Sequence, residues 1–337
     1  MEKRVIPSNQ HFTLILKNMD VRNLIGYACI NETLSKEGIR VNRNMNLKTF
    51  QTKGLSYVSE LIINNLDDLI KILQWNMANS IYNFRLPSEI FPWKTKYEYK
   101  DLPNYKIISK KLKAIGFIVQ MNKIRLSFHP DYFCVLSSPK EDVVLESIKE
   151  LEKTAQIFDI MGLPKTPEYK INIHVGGVYG SKLSACDRFC NNFNLLSDSV
   201  KKRLTVENDD KKNSYNVHDL YHLIHKRIGV PIVFDYHHHM LNDGDMLEKE
   251  ALELALSTWD KTILPTVHYS SSKKLNEDNN AKEQAHANFI YEDFDTYGHD
   301  FAIILEAKSK EMAVINYKVY KGYIKLVDKN ELNSEIL

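Results

Sequence analysis

Short, β-branched apolar runs recur along the chain, and longer stretches with helical spacing separate them. The runs are 23–30, 80–86, 124–129, 171–175, 203–207, 231–236, 263–269 and 301–308. Each is bounded by polar, Gly or Pro residues, which is how buried parallel strands read. Between the first two, residues 33–56 read as a long polar loop. A helix follows, with Leu61, Ile62, Leu66, Leu69, Ile70, Leu73 and Met77 on one face. Further helices are predicted at 106–120, 138–161, 181–201, 217–228 and 247–258, and one just before the last run. Ser138-Pro139 with Glu141 and Asp142 supplies a cap, a first-turn proline and first-turn acids for the second of these, and Gly162 a stop.

Eight runs alternating with helices, with no linker between them, predict an α/β fold: a single-domain (β/α)8 barrel of the TIM type. Residues 21–312 would form the catalytic barrel and residues 1–20 a short N-terminal extension, with Phe12–Leu16 as an extra strand or helix. Residues 313–337 would form a C-terminal extension, whose alternation over 313–326 suggests a hairpin or strand outside the barrel.

Barrel strands converge at their C-terminal ends, so the residues there share one face. Those residues are Asn31, Glu89, His129, His174, Glu207, Asp235 with His238, His268 and Glu306, and His286 lies in the loop after the seventh run. Carboxylates gathered that closely would repel and take up protons unless cations relieved them. A mixed His and acid set suits zinc or manganese, and its size favours two or three ions over one, an arrangement typical of phosphodiester hydrolysis. Along 237–239 at most one phase of the three histidines can face such ions. His218, His222 and His225 have helical spacing but read as a solvated helix face. Lys182, Lys273, Lys274, Lys308 and Lys310 lie in or near the same loops, with Arg85 beside the second strand end, where they could neutralise DNA phosphates.

Composition adds little restriction. With 337 residues, 43% of them hydrophobic, the chain can bury a large core, and a net charge of +2 gives no global basic bias. No apolar run approaches a transmembrane span and no signal-peptide core is visible, so an intracellular protein is expected. Cys29, Cys134, Cys186 and Cys190 form no Cys-x-x-Cys pair and read as reduced thiols.

The order and spacing of several segments resemble the ultraviolet damage endonuclease family. They are Gly26–Asn31, Phe84–Glu89, Phe128–Asp131, His174–Gly180, Glu207–Asp209, Asp235–His238, Val267-His268, Ala285–Ala287 and Leu305–Lys308. The resemblance covers about Leu24 to Lys310. It implies a barrel holding three divalent ions (manganese foremost, with zinc or magnesium as alternatives) and a concave face for damaged duplex DNA. It implies incision immediately 5′ of a lesion, leaving a 3′-hydroxyl and a 5′-phosphate, by a monomer without other cofactors.

Its metal ligands carry onto His129, His174, Glu207, Asp235, His238, His268, His286 and Glu306, with Glu89 where some relatives have a histidine. Glu207, Asp235 and Glu306 would form the catalytic carboxylate set, with Glu207 bridging two ions. Tyr27 and Asn31 match residues that contact the damaged site. Tyr132-Phe133 stands where relatives have a glutamine–aromatic pair, and Thr266 where many have a lysine. Two rival readings share the barrel and metals: an abasic-site endonuclease of the endonuclease IV type and, more distantly, a sugar isomerase.

Overall fold

The computed structural model describes residues 21–324. Eight parallel strands close into a barrel in simple sequential order, with β8 returning to β1. They are β1 (Ile25–Ala28), β2 (Asn83–Leu86), β3 (Arg125–Phe128), β4 (Ile171–Ile173), β5 (Leu204–Glu207), β6 (Ile232–Asp235), β7 (Thr266–Tyr269) and β8 (Ala302–Leu305). The expected (β/α)8 architecture is thus present, with strands shorter than the apolar runs that signalled them.

Outward-facing strand residues, among them Phe84, Leu126, Val206, Phe234, Val267 and Leu305, form one continuous core with the surrounding helices. Helix α1 (Leu47–Ala78) supplies Val58, Ile62, Leu66, Leu69 and Leu73, and α2 (Tyr105–Met121) supplies Ile108, Leu112, Ile115 and Val119. Helix α3 (Glu141–Met161) stops where Gly162 turns left-handed at φ 75°. On α2, Gly116 lets α3 approach closely, since a Cβ there would sit 1.8 Å from the Met161 carbonyl oxygen.

Many of the alternate, inward positions are polar: Asn83, Arg125, Ser127, Asn172, Thr205 and Thr266 are all buried. Barrels of this type usually fill that space with branched aliphatic residues. On β1 the inward position is Gly26, where a Cβ would lie 1.8 Å from the Asn83 carbonyl oxygen. The Asn83 side chain donates to the carbonyls of Leu24 and Ile303, at 3.2 and 3.0 Å, and so ties the β8–β1–β2 seam.

Several expectations need correction. The loop over 33–56 is partly helical: Glu32–Ser35 makes one short turn, and α1 begins at Leu47 and bends at Gly54, where φ is 61°. The α3 helix starts later than its cap signal, on Lys140, and the Ser138 hydroxyl instead accepts from the Lys140 amide at 3.1 Å. The stretch 181–201 breaks into α4 (Lys182–Phe193) and the short Asp198–Lys201 helix. After α5 (Val217–Leu220), which continues through a π turn to Ile228, come α6 (Tyr236–Leu241) and α7 (Glu248–Leu256).

The helix expected directly before β8 is absent, and the β7–β8 connection carries a single helical turn, Lys273–Asn276. Residues 287–301 cross as a loop that follows an antiparallel contact of Ser272 with His286. The expected C-terminal hairpin is instead α8 (Lys310–Tyr320) in its described part. Ala313, Val314 and Tyr317 are buried at helical spacing, and the helix packs on β1. The predicted element at Phe12–Leu16 and the region from 325 onward lie outside the described residues. No helix among the described residues is long and apolar enough to cross a membrane.

Candidate metal centre

Side chains alternate along a strand, so a position's parity decides which side it faces. Arg85, His129, His174, Glu207, Asp235, His268 and Glu306 all share the inward phase of their strands, at or just beyond the C-terminal ends. They meet at the floor of a cavity of about 880 Å³, lined by Arg85, Glu89, His129, His174, Glu207, His238 and Glu306 together with loop residues. Asp235 and His268 lie fully buried behind that lining.

Glu207 is the hub. Its Oε2 lies 3.3 Å from His129 Nε2 and 3.1 Å from His268 Nδ1, and its Oε1 lies 3.4 Å from His238 Nδ1. His268 Nδ1 also stands 3.2 Å from Glu306 Oε1. Two donor groups emerge, His129–His174–Glu207 and Glu207–Asp235–His268–Glu306, each with its ligand atoms within 4.8 Å of one another. Glu207 belongs to both groups. Asp235 Oδ2 is buried without a hydrogen-bond partner among the described residues. A mixed imidazole and carboxylate set with an orphaned buried carboxylate oxygen fits divalent cations.

The supporting contacts fix which ring nitrogens face the floor. The Nδ1 atoms of His129, His238 and His286 lie 3.1, 2.8 and 2.8 Å from the backbone carbonyls of Pro130, Asn208 and Glu306. His174 Nδ1 lies 3.1 Å from Asp209 Oδ1. These contacts leave Nε2 of each ring as the atom available to an ion. Asn172 donates to Glu207 while its own oxygen accepts from Thr205 at 2.8 Å. Arg85 pairs with Glu306.

Electrostatics follows from this crowding. Burial alone would raise the Glu207 carboxyl, but the His268 charge and the close His129 and His268 contacts hold it well below the usual range. Burial likewise opposes ionisation of Glu306, and the Arg85 charge and the His268 contact outweigh it. His268 and His174 are pushed up to about 9 against burial, the first by Glu207 and Glu306, the second by Asp209 and Glu207. His129 goes the other way, because burial exceeds the help of Glu207.

The remaining residues divide. Asp235 caps α6 and accepts from the His238 amide at 2.8 Å, so the helical turn brings His238 back beside it. The segment 236–241 is a helix and not a strand end, so His237 turns toward His286 (ring centroids 5.4 Å apart) and His239 packs on Phe234. His286 reaches the end of β8, 3.9 Å from Glu306 Oε2. Glu89 lines the cavity on a short 3-10 turn but joins neither donor group. Tyr132 is 92% exposed at the cavity mouth, and Phe133 packs on it.

Tyr27 and Asn31 do not reach the cavity. Tyr27 has the outward parity of β1, is fully buried and donates to Asn76 of α1 at 2.7 Å. Asn31 donates to the Tyr27 hydroxyl and caps the Glu32–Ser35 turn. Both were expected to touch damaged DNA, and their burial removes them from direct contact. Lys182 is committed to Asp219 at 2.6 Å, and neither it, Lys273 nor Lys308 lines the cavity. His218 and His222 are exposed, as a solvated face requires, and the four cysteines are free thiols.

Sequence reasoning missed the supporting set of Asn172, Asn208 and Asp209. Their signal was present: Asn172 shares the phase of His174, and the other two directly follow Glu207.

The profile of the UV-endonuclease UvdE family matches residues 23–334. The chain belongs to that family. It is 36% identical over 298 residues to the UV DNA damage endonuclease of Clostridium perfringens, covering 86% of this chain and 69% of that protein. It is 33% identical over 315 residues to the UV-damage endonuclease of Schizosaccharomyces pombe, covering 90% of this chain but about half (51%) of that longer protein. Among solved structures, that of SacUVDE superposes with a TM-score of 0.76 at 32% identity, over 90% of this chain and 99% of that one.

Proposed function

We propose that this UvdE-family chain is a metal-dependent DNA repair endonuclease. It incises the backbone immediately 5′ of cyclobutane pyrimidine dimers and 6-4 photoproducts, and also cuts at abasic sites, leaving a 3′-hydroxyl and a 5′-phosphate. Its substrate is damaged duplex DNA, and it acts as a monomer. One observation carries the reading: Glu207 is shared by two donor groups at the floor of a cavity whose mouth bears the exposed Tyr132. The shared carboxylate supports at least two ions, and the full ligand set with His238, His286 and Glu89 has room for three, manganese foremost with zinc or magnesium as alternatives. Divalent cations held there would neutralise charge building on a phosphodiester under attack and make water a competent nucleophile near neutral pH.

The chain's own residues do the rest. Glu207, Asp235 and Glu306 concentrate negative charge at one point, and Asn172, Asn208 and Arg85 hold them in place. A crosslinked or missing base stacks poorly, so bending the duplex there costs less than bending intact DNA. Tyr132 and Phe133 have the exposure to fill the gap left in the stack. Lys273 and Lys308 suit backbone phosphates at the rim, while the charge of Lys182 is already engaged by Asp219.

The test uses an end-labelled duplex carrying one defined dimer, with Mn²⁺, and maps the cut to the nucleotide. Cutting 5′ of the dimer, abolished in Glu207→Gln, is expected. Cutting of an abasic duplex alone would favour the endonuclease IV reading instead.

A further inference from the structure

The loop after β4 carries an aromatic residue that the ligand set does not use. Tyr179 lines the same cavity as Tyr132, is 49% exposed and sits at φ 49°, an uncommon backbone conformation for a bulky residue. Its ring lies over Gly177: a Cβ on that glycine would be 3.0 Å from Tyr179 Cζ. The Arg188 guanidinium of α4 lies 5.5 Å from the centre of the ring. Arg188 Nε also donates to the Ser137 carbonyl at 2.7 Å, and the Ser137 hydroxyl donates to the Val175 carbonyl at 2.7 Å. Gly176 meets Val135 so closely that a Cβ would fall 2.5 Å from its Cγ1. The loop bearing Tyr132-Phe133 and the loop bearing Tyr179 are therefore one interlocked unit, with Arg188 as its clasp.

A half-exposed aromatic ring braced by a cation, on a backbone held in a strained pose, is preorganised to meet a flat apolar face. Resting on the endonuclease reading above, we propose that Tyr179 is a second stacking platform that receives a nucleobase displaced from the helix at the lesion, and that Arg188 is the positioning residue that sets its pose. Two rings on one rigid unit favour DNA whose bases have already left the stack, which makes Tyr179 a determinant of specificity for damage. Nucleobases stack on aromatic rings without regard to sequence.

The test is single-turnover incision of a dimer-bearing duplex at increasing enzyme concentration with Mn²⁺, using undamaged duplex as a competitor to read its own affinity. For Tyr179→Ala, the half-saturating concentration on the dimer duplex should rise roughly 5- to 100-fold. Undamaged-duplex affinity and the salt dependence of binding should stay unchanged, because stacking releases no counterions. Tyr179→Phe should behave as the parent, and Arg188→Met should lie between. Tyr179→Leu keeps the cover over Gly177 without an aromatic face, so it should lose affinity like the alanine variant while folding normally. Parental half-saturation in both the alanine and leucine variants overturns the inference, as does an equal loss on both duplexes with a shallower salt dependence. A parent enzyme that does not prefer the dimer duplex overturns the lesion reading itself, an outcome separable from the variant results.

Discussion

Asn208 offers the most direct test of how this site is held. Beyond the end of β5, its side chain acts as one more rung of the β5–β6 ladder. Nδ2 donates to the Asp235 carbonyl at 2.9 Å, and Oδ1 accepts from the Asp235 amide at 2.8 Å. Its own carbonyl lies 2.8 Å from His238 Nδ1. One fully buried residue thereby fixes the backbone of one candidate ligand and the ring of another. Asn208→Ala leaves the Asp235 amide and carbonyl buried without those partners. An unsatisfied buried group costs about 1–3 kcal/mol, so roughly 2–4 kcal/mol of stability should be lost after partial relaxation. Asn208→Asp keeps the acceptor but turns an oxygen toward the Asp235 carbonyl and adds charge beside the carboxylates, so it should be no better tolerated. Urea unfolding reads the stability change, and calorimetric titration with MnCl₂ reads the site. Loss of a ligand-orienting contact typically weakens metal binding about 10- to 100-fold. If Asn208→Ala unfolds within about 0.5 kcal/mol of the parent and binds Mn²⁺ equally well, the rung argument is wrong. Lost stability with intact Mn²⁺ affinity would make Asn208 a structural clamp only.

Three other outcomes are expected. The Asp68 carboxylate accepts from Arg43 at 2.6 Å, Lys71 at 2.9 Å and the Arg40 amide at 3.1 Å, and these bonds outweigh burial to lower its pKa. A depressed folded pKa stabilises above the unfolded value of about 3.9 and loses that contribution as pH falls through the folded one. The melting-temperature gap between the parent and Asp68→Asn should therefore be full near neutrality and close progressively below about pH 4; a gap independent of pH would contradict the assignment. Tyr132→Ala should weaken binding to damaged duplex by roughly 1–3 kcal/mol and leave undamaged duplex nearly unaffected; equal losses would mark a backbone contact. Thr266 Oγ1 is buried with no hydrogen-bond partner among the described residues, so Thr266→Val should stay within about 1 kcal/mol of parental stability and keep incision. Loss of incision in that variant would give the hydroxyl a role in the chemistry.

The convergence of the candidate donors was legible because strand parity is a sequence property. His129, His174, Glu207, Asp235, His268 and Glu306 could be placed once the runs were read as strands, and the barrel then brings them together. Parity also explains the failure at Tyr27: the family resemblance put it at the damaged site, while its phase sends it outward onto α1. The start of α1 was hidden because Lys48, Thr49, Gln51, Thr52 and Lys53 show no apolar period. At 313–320 the β-branched residues imitated a strand, although burial follows 313, 314 and 317, a helical set decided by packing on β1. The triple histidine resisted assignment because its geometry depends on Asp235 capping a helix, a tertiary event that alternation cannot announce.

The polar barrel interior becomes intelligible when the charges of the site are followed inward. Three carboxylates converge at the floor, and Arg85 answers Glu306 directly. Deeper along the inward face lie Arg125 and Lys170, whose buried Nε, Nη2 and Nζ atoms have no hydrogen-bond partners among the described residues. Burial and then the neighbouring Arg125 and Arg85 charges hold the Lys170 ammonium well below its ordinary range, with Glu207 pulling the other way. Leu and Ile at these inward positions would pack better and cost less desolvation. They would also leave the carboxylate cluster without positive charge beneath it, and its members would take up protons more readily. From the other side, His174 and His268 carry positive charge in the metal-free protein, raised toward 9 by the same carboxylates. Ions and ring protons compete for the same nitrogens, so the histidines can exchange their protons for metal, while the arginines cannot give theirs up. Fixed charge below and exchangeable charge on the surrounding histidines keep Glu207 and Glu306 ionised at the floor.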